Sequence, residues 1–77
     1  METGPTEGTI AALRAEMVAA RQEFPGREHL TVALMEEVGE LANALLTRAR
    51  PDEIRQEAIQ VACVALRICE EGDADFG

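Results

Sequence analysis

The sequence contains no lysine, tryptophan or tyrosine, and only two phenylalanines among its 77 residues. Its seven basic residues are therefore all arginines, and they face 15 acidic residues, which gives a net charge of −8. This balance argues against nonspecific nucleic-acid binding, because that binding depends on basic side chains that neutralise phosphates. An acidic chain can still bind phosphates where divalent cations lie between its carboxylates and the ligand.

The scarcity of aromatic side chains also limits the hydrophobic core. A chain of 8.3 kDa forms one small domain that buries roughly 60% of its surface, and a partner subunit would stabilise so thin a core. The sequence has no run of about 20 apolar residues, and its beginning lacks the basic and apolar segments of a signal peptide. We therefore expect a cytoplasmic protein that does not span a membrane.

The chain has two cysteines, Cys63 and Cys69, which lie six residues apart in one predicted helix. Their Cα atoms would be about 9 Å apart along that helix, which is too far for a disulfide. The spacing also differs from that of paired zinc ligands. Both are predicted to be buried structural thiols.

Apolar residues recur at spacings of three and four, which predicts an all-α fold of three helices. Thr9 is the predicted N-cap of the first helix, the second runs from 27 to 49, and the third runs from 52 to 71 with Gly72 as its stop. The predicted divisions are a flexible tail at 1–8, one helical domain at 9–72 and an acidic tail at 73–77, where Phe76 is expected to dock back. The expected core stripes are Ile10, Leu13, Met17, Ala20 and Phe24 in the first helix and Leu30, Leu34, Val38, Leu41 and Leu45 in the second.

The third predicted helix is apolar nearly all round. Between Ala58 and Cys69 its only polar residues are Gln60 and Arg67, and Arg67 is expected to pair with an acid or to reach solvent. Two other helices can hardly enclose such a helix. The sequence therefore predicts a homodimer or homotetramer whose core is a helical bundle, with the third helix at the interface.

Acidic residues cluster on the second predicted helix, where Glu36, Glu37 and Glu40 share one side. Like charges at these spacings repel, and a cation would relieve the repulsion. On the third helix Glu57 and Gln60 share a face, and antiparallel packing would turn that face toward the acids. Inward carboxylates on facing helices form divalent-metal sites in bundles. Because the ligands are hard oxygens, Mg²⁺ or Mn²⁺ is expected.

The order of these acids, Glu-Glu-x-x-Glu-Leu and then Glu-x-x-Gln on the next helix, resembles that of the MazG family. In these all-α nucleoside triphosphate pyrophosphohydrolases an ExxE motif precedes an ExxD motif. Glu37 and Glu40 match the first motif, with Glu36 as an additional acid, and Glu57 begins the second. Gln60 stands where the family has Asp.

The resemblance covers roughly residues 28–71 and implies Mg²⁺-dependent cleavage of a nucleoside triphosphate into a monophosphate and pyrophosphate. It assigns catalytic roles to Glu37, Glu40 and Glu57. The same three residues would bind the metal, together with Glu36 and Gln60. It also implies a dimer or tetramer of helical bundles.

Two other functions remain open, because Gln60 supplies an amide oxygen without negative charge. One is a MazG-like bundle whose site has decayed and which acts as an oligomeric binding or regulatory module, with Gln60 hydrogen-bonded across the interface. The other is an acidic decoy that occupies the basic surface of a nucleic-acid-binding protein. His29 is expected to be an exposed residue near a helix start.

Overall fold

The computed structural model describes residues 4–76, which form three helices and no strand. These are α1 (Gly4–Glu23), α2 (Leu30–Leu46) and α3 (Pro51–Glu71). Both α1 and α2 pack against α3, which lies in the middle, whereas the described residues of α1 and α2 do not pack on each other. The all-α prediction with three helices is confirmed.

Helix α1 begins earlier than predicted. The predicted tail at 1–8 is wrong over residues 4–8, because α1 begins at Gly4 and Thr9 lies inside it rather than at its N-cap; residues 1–3 lie outside the described chain. Glu7 in the first turn suits the positive end of the helix dipole. The expected core stripe holds only in part, since Met17 is buried while Ile10 and Phe24 are exposed.

Helix α2 is shorter than predicted at both ends. It spans 30–46 rather than 27–49, because His29 and Arg48 have left-handed backbone with φ of 64° and 55°, which a right-handed helix cannot include. At its end the Arg48 amide donates to the Leu45 carbonyl and the Ala49 amide to the Ala44 carbonyl. This is the Schellman arrangement, here with arginine where glycine is usual.

The expected core stripe of α2 is also only partly buried. Leu30 is buried and Leu34 and Leu41 are half-buried, whereas Val38 and Leu45 are exposed. Within residues 4–76 α2 packs on α3 alone, and no helix covers that side. Further apolar side chains of α2 are exposed with them: Val32, Met35 and Leu46.

Helix α3 matches its predicted bounds to within one residue. Pro51 occupies the first turn, where its missing amide hydrogen is not needed, and Gly72, with φ of 72°, ends the helix. Cys63 is buried with its Sγ 3.6 Å from the sulfur of Met17, and burial raises the pKa of its thiol. The prediction that Cys69 is buried is wrong for the single chain, because this thiol is exposed.

The segment after α3 folds back onto the start of α2. Asp73 makes the contact with α2, because its Oδ2 accepts a hydrogen bond from the Thr31 amide at 2.6 Å. The prediction that Phe76 docks back is wrong, since its side chain is 73% exposed. Residue 77 of the predicted tail lies outside the described chain. Because the end of α3 meets the start of α2, and the turn at 47–50 joins their other ends, the two helices are antiparallel.

Arg67, on α3, binds the segment at 24–26 that follows α1. Only 3% exposed, it binds the Glu71 carboxylate through Nε and Nη2 at 3.1 and 3.0 Å. Nη1 and Nη2 also donate to the carbonyls of Phe24 and Gly26, each at 3.0 Å. The predicted pairing with an acid is confirmed, and the same guanidinium also ties two backbone carbonyls to α3.

Glu71 makes the stability of the fold dependent on pH. Hydrogen bonds from Arg67 and Arg21 lower the pKa of its carboxyl from 4.5 to about 2. Since the folded-state pKa is depressed, the stabilisation is complete above pH 4.5 and is lost as pH falls toward 2. Thermal unfolding between pH 7 and pH 2 should show this loss in the parent, and the gap between the parent and Glu71→Gln should close over the same interval. A constant gap would contradict the assignment.

Candidate metal site

Three carboxylates from two helices meet on one side of the α2–α3 pair. Glu37 and Glu40 lie one turn apart on α2, and Glu57 lies opposite them on α3. Each offers an oxygen within 4.8 Å of the oxygens offered by the other two. The antiparallel packing of α2 and α3 thus brings together the three residues that were predicted to be catalytic, which are three of the five predicted metal ligands.

The three carboxylates differ in exposure. Glu37 and Glu57 are half-buried and Glu40 is exposed. They open into a groove that continues toward the α2–α3 turn, where Asn43, Thr47 and Glu53 line it. Oxygen atoms therefore surround an opening that solvent and small ligands can enter.

Burial and neighbouring negative charges both act on the pKa of Glu37. Partial burial raises the pKa of its carboxyl, and the charge of Glu40 and a hydrogen bond with Glu40 raise it further. The charges of Glu57 and Glu36 act in the same direction. A bound cation would oppose this crowding of negative charge, because it favours the ionised form of each carboxylate.

The two remaining predicted ligands occupy less central positions. Glu36 is exposed and lines the groove, but it lies outside the group of three carboxylates. Gln60, one turn after Glu57, is half-buried and lines a wider groove that runs over α3 between α1 and α2. Both residues therefore border the space in front of the carboxylates.

Helix α1 forms a wall of the wider groove, which the sequence reasoning did not foresee. Glu16 and Ala20 of α1 line it, and the Glu16 carboxylate accepts a hydrogen bond from Gln56 of α3 at 3.4 Å. Across from α1 the groove is lined by Leu30 and Ala33 of α2. Its polar end is thus the carboxylate group, and part of its length is apolar.

Positive charge is scarce near this groove. Among the described residues that line it, Arg67 is the single arginine, and its donors bind Glu71 and two backbone carbonyls. His29, at the rim, pairs with Asp75 through Nδ1 and Oδ2 at 2.6 Å. Its side chain is 75% exposed, as expected from the sequence.

Comparison with known proteins finds no matching family profile, no similar curated protein and no similar solved structure. Among the described residues, none of the helices combines the length and apolarity that crossing a bilayer requires.

Proposed function

We propose that the chain is a Mg²⁺-dependent nucleoside triphosphate pyrophosphohydrolase of the MazG type. The observation that carries the proposal is the meeting of Glu37, Glu40 and Glu57 within 4.8 Å on two antiparallel helices. These are the residues that match the ExxE motif and the start of the ExxD motif. Glu57 lies 17 residues after Glu40 and on a different helix, so its convergence with Glu37 and Glu40 adds support that the short motifs alone do not give.

The donor set fits Mg²⁺ or Mn²⁺. All three groups are carboxylates, which are the hard ligands these ions prefer. The groove in front of them is open, and Mg²⁺ needs such space because it retains waters and takes substrate phosphate oxygens to complete an octahedron. The group contains no nitrogen or sulfur ligand of the kind that favours zinc among the described residues. His29 pairs with Asp75, Cys63 is buried against Met17, and the exposed Cys69 lies outside the group.

The side chains have distinct tasks in this proposal. Glu37, Glu40 and Glu57 hold the cation-binding oxygens at one end of the groove, and Gln60 presents a neutral amide in the fourth place. When bound, the divalent cation would neutralise phosphate charge and lower the pKa of a bound water. Because Arg67 donates four hydrogen bonds within the fold, the neutralisation of phosphate charge is assigned here to the carboxylates and their cations rather than to an arginine.

The direct test is release of pyrophosphate from a panel of nucleoside and deoxynucleoside triphosphates. We expect turnover with Mg²⁺ or Mn²⁺ and none with EDTA. Gln60→Asp adds the missing negative charge beside Glu57, so Mn²⁺ should bind this variant at least about tenfold more tightly, as measured by calorimetry. Gln56→Asp, which adds the same charge on the adjacent turn, is the matched control.

The same panel separates the proposed enzyme from a second candidate that Gln60 favours, a decayed bundle that acts as an oligomeric binding module. Pyrophosphate release by Gln60→Asp, together with no release by the parent protein, would support the decayed bundle. If neither protein releases pyrophosphate and neither binds Mn²⁺ measurably, the proposed pyrophosphohydrolase is contradicted.

We also propose that two or more copies assemble through the side of α2 and α3 that faces away from the groove. On α3 this side carries small exposed residues, namely Ala58, Ala62, Ala65 and Cys69, about 150° round the helix from Gln60 and Val64. On α2 it carries the exposed side chains of Met35, Val38, Leu45 and Leu46. Together these residues form a largely apolar surface, here called the back face.

The accessible area supports a second copy as the occupant of the back face. The chain exposes 5529 Å², whereas a folded monomer of its mass exposes about 4,600 Å². The difference resembles the area of about 800 Å² that each partner buries in a standard interface. The radius of gyration of 13.3 Å likewise exceeds the roughly 11.5 Å of a compact chain of this length.

Leu45→Glu should therefore convert a homodimer or homotetramer into monomers, as measured by sedimentation equilibrium. A charge on the back face would have to be desolvated in the interface. Val18→Glu is the matched control, because Val18 on α1 is similarly exposed, at 59% against 55% for Leu45, but lies outside the back face. A monomeric parent would contradict the assembly.

A further inference from the structure

Helix α2 receives its N-terminal cap from the far end of the chain. His29, at the N-cap position, makes no capping hydrogen bond with its side chain and has left-handed backbone. Instead Asp73 caps the helix, with Oδ2 accepting from the Thr31 amide at 2.6 Å and Oδ1 accepting from the Asp75 amide at 2.9 Å. The residue is only 5% exposed, and the Thr31 hydrogen bond lowers the pKa of its carboxyl.

Two neighbouring hydrogen bonds keep the Asp73 segment in place. The Ala74 amide donates to the Arg27 carbonyl at 3.0 Å, and the Arg27 guanidinium donates to the Glu71 carbonyl at 2.7 Å. Asp75 also pairs with His29, but this pair is exposed to solvent and contributes little to holding the segment. The segment is thus tied both to the residues just before α2 and to the end of α3, so the cap bridges two helices rather than stabilising one.

With this bridge, α2 and α3 are connected at both ends, and the carboxylate group lies between the two connections. The turn at 47–50 joins α2 to α3 at one end, and Asp73 joins them at the other. Glu37 and Glu40 lie on α2 between the two joints, and Glu57 lies on α3. A helix that is fixed at both ends against its neighbour can neither slide nor tilt freely, so the distances between side chains that it shares with the neighbour are fixed as well.

We infer that Asp73 is a positioning residue for the carboxylate group: by capping α2 from the end of α3, it holds Glu37 and Glu40 in register with Glu57. The role of the group in metal binding rests on the proposed function, whereas the control of the register by Asp73 does not. Loss of the Asp73 carboxylate is therefore expected to alter the positions of Glu37 and Glu40, about two turns away, and not only the first turn of α2.

The test compares Asp73→Ala, Asp73→Asn and Asp75→Ala in the full chain. Asp75→Ala is the matched control, because it removes one negative charge from the same segment while leaving the cap. Two quantities are measured: Mn²⁺ affinity by calorimetry, counting only the binding that Glu57→Gln removes, and backbone amide exchange along α2. All proteins are compared at a temperature at which circular dichroism shows each to be folded.

We expect Asp73→Ala to weaken Mn²⁺ binding about fivefold, the scale of a lost helix cap, and to accelerate amide exchange through residues 36–40. Asp73→Asn keeps one acceptor oxygen and should recover part of both effects, and Asp75→Ala should match the parent. Accelerated exchange confined to residues 31–34, with parental Mn²⁺ affinity, would show a local cap and overturn the inference.

The two proposals fail in different ways. A parent that does not bind Mn²⁺ at the group contradicts the proposed metal site, and amide exchange at residues 36–40 then decides alone whether Asp73 sets the register. Normal exchange there in Asp73→Ala overturns the positioning role, whatever the parent binds.

Discussion

Replacing Arg67 with alanine is expected to lower the free energy of unfolding by about 3–5 kcal/mol, the scale of breaking a buried ion pair from one side. The substitution leaves the carbonyls of Phe24 and Gly26 without their donor and removes the bidentate partner of Glu71. A domain of this length is stable by only about 4–12 kcal/mol. Urea denaturation followed by circular dichroism measures the loss.

Two variants show whether the loss comes from these hydrogen bonds. Arg55→Ala removes an exposed arginine from the same helix and should change stability by less than about 0.5 kcal/mol. Arg67→Lys keeps the positive charge but lacks the planar fork that reaches two carbonyls and a carboxylate together, so it should recover less than half of the loss. Equal effects of Arg67→Ala and Arg55→Ala would contradict this account of the contacts.

Replacing Glu57 with glutamine is expected to reduce metal-dependent pyrophosphate release by about a hundredfold or more. Loss of an outer partner of a metal ligand typically costs 10-fold to 100-fold, and Glu57 is proposed as a ligand itself. It is also the one member of the group that α3 supplies. Initial rates at saturating Mg²⁺ and at several triphosphate concentrations measure the effect.

Glu53→Gln is the control for this loss. Glu53 lies one turn before Glu57 and lines the same groove, but it is outside the group of three carboxylates. Both variants remove one negative charge, so equal losses would mean that only the overall charge of the groove matters and would contradict a ligand role for Glu57. In EDTA, Glu57→Gln should unfold at a temperature no lower than the parent, because the variant relieves repulsion with Glu37.

The features predicted best from the sequence are those with a strong local signal. Pro51 and Gly72 determine where α3 begins and ends, since one suits a first turn and the other adopts positive φ at a helix end. The spacing of Glu37, Glu40 and Glu57, with the short turn between the helices, was enough to predict that the three would face one another. In each case the deciding interactions lie within a few residues or across one turn.

The features that the sequence reasoning missed depend on distant contacts. The left-handed residues His29 and Arg48 shorten α2. Histidine is enriched at positive φ and arginine is not, but neither marks such a position as strongly as glycine does. The hydrogen bond from Thr31 to Asp73 and the one from Arg67 to the Phe24 carbonyl each join parts of the chain that are about 40 residues apart. Periodicity indicates which face of a helix is apolar, but not which faces the chain itself covers, and for this reason Cys69 and Leu45 were expected to be buried.

The central position of α3 has a consequence for the order in which the domain folds. Helices α2 and α3 are neighbours along the chain and are joined by a short turn, so they can pair at little cost in loop-closure entropy. Of the two other helices in the described part of the chain, α1 packs on α3 only, and it is held there by contacts such as that between Met17 and Cys63. The α2–α3 hairpin is therefore expected to form the folding nucleus, and α1 to dock afterwards on a surface that the hairpin has already formed.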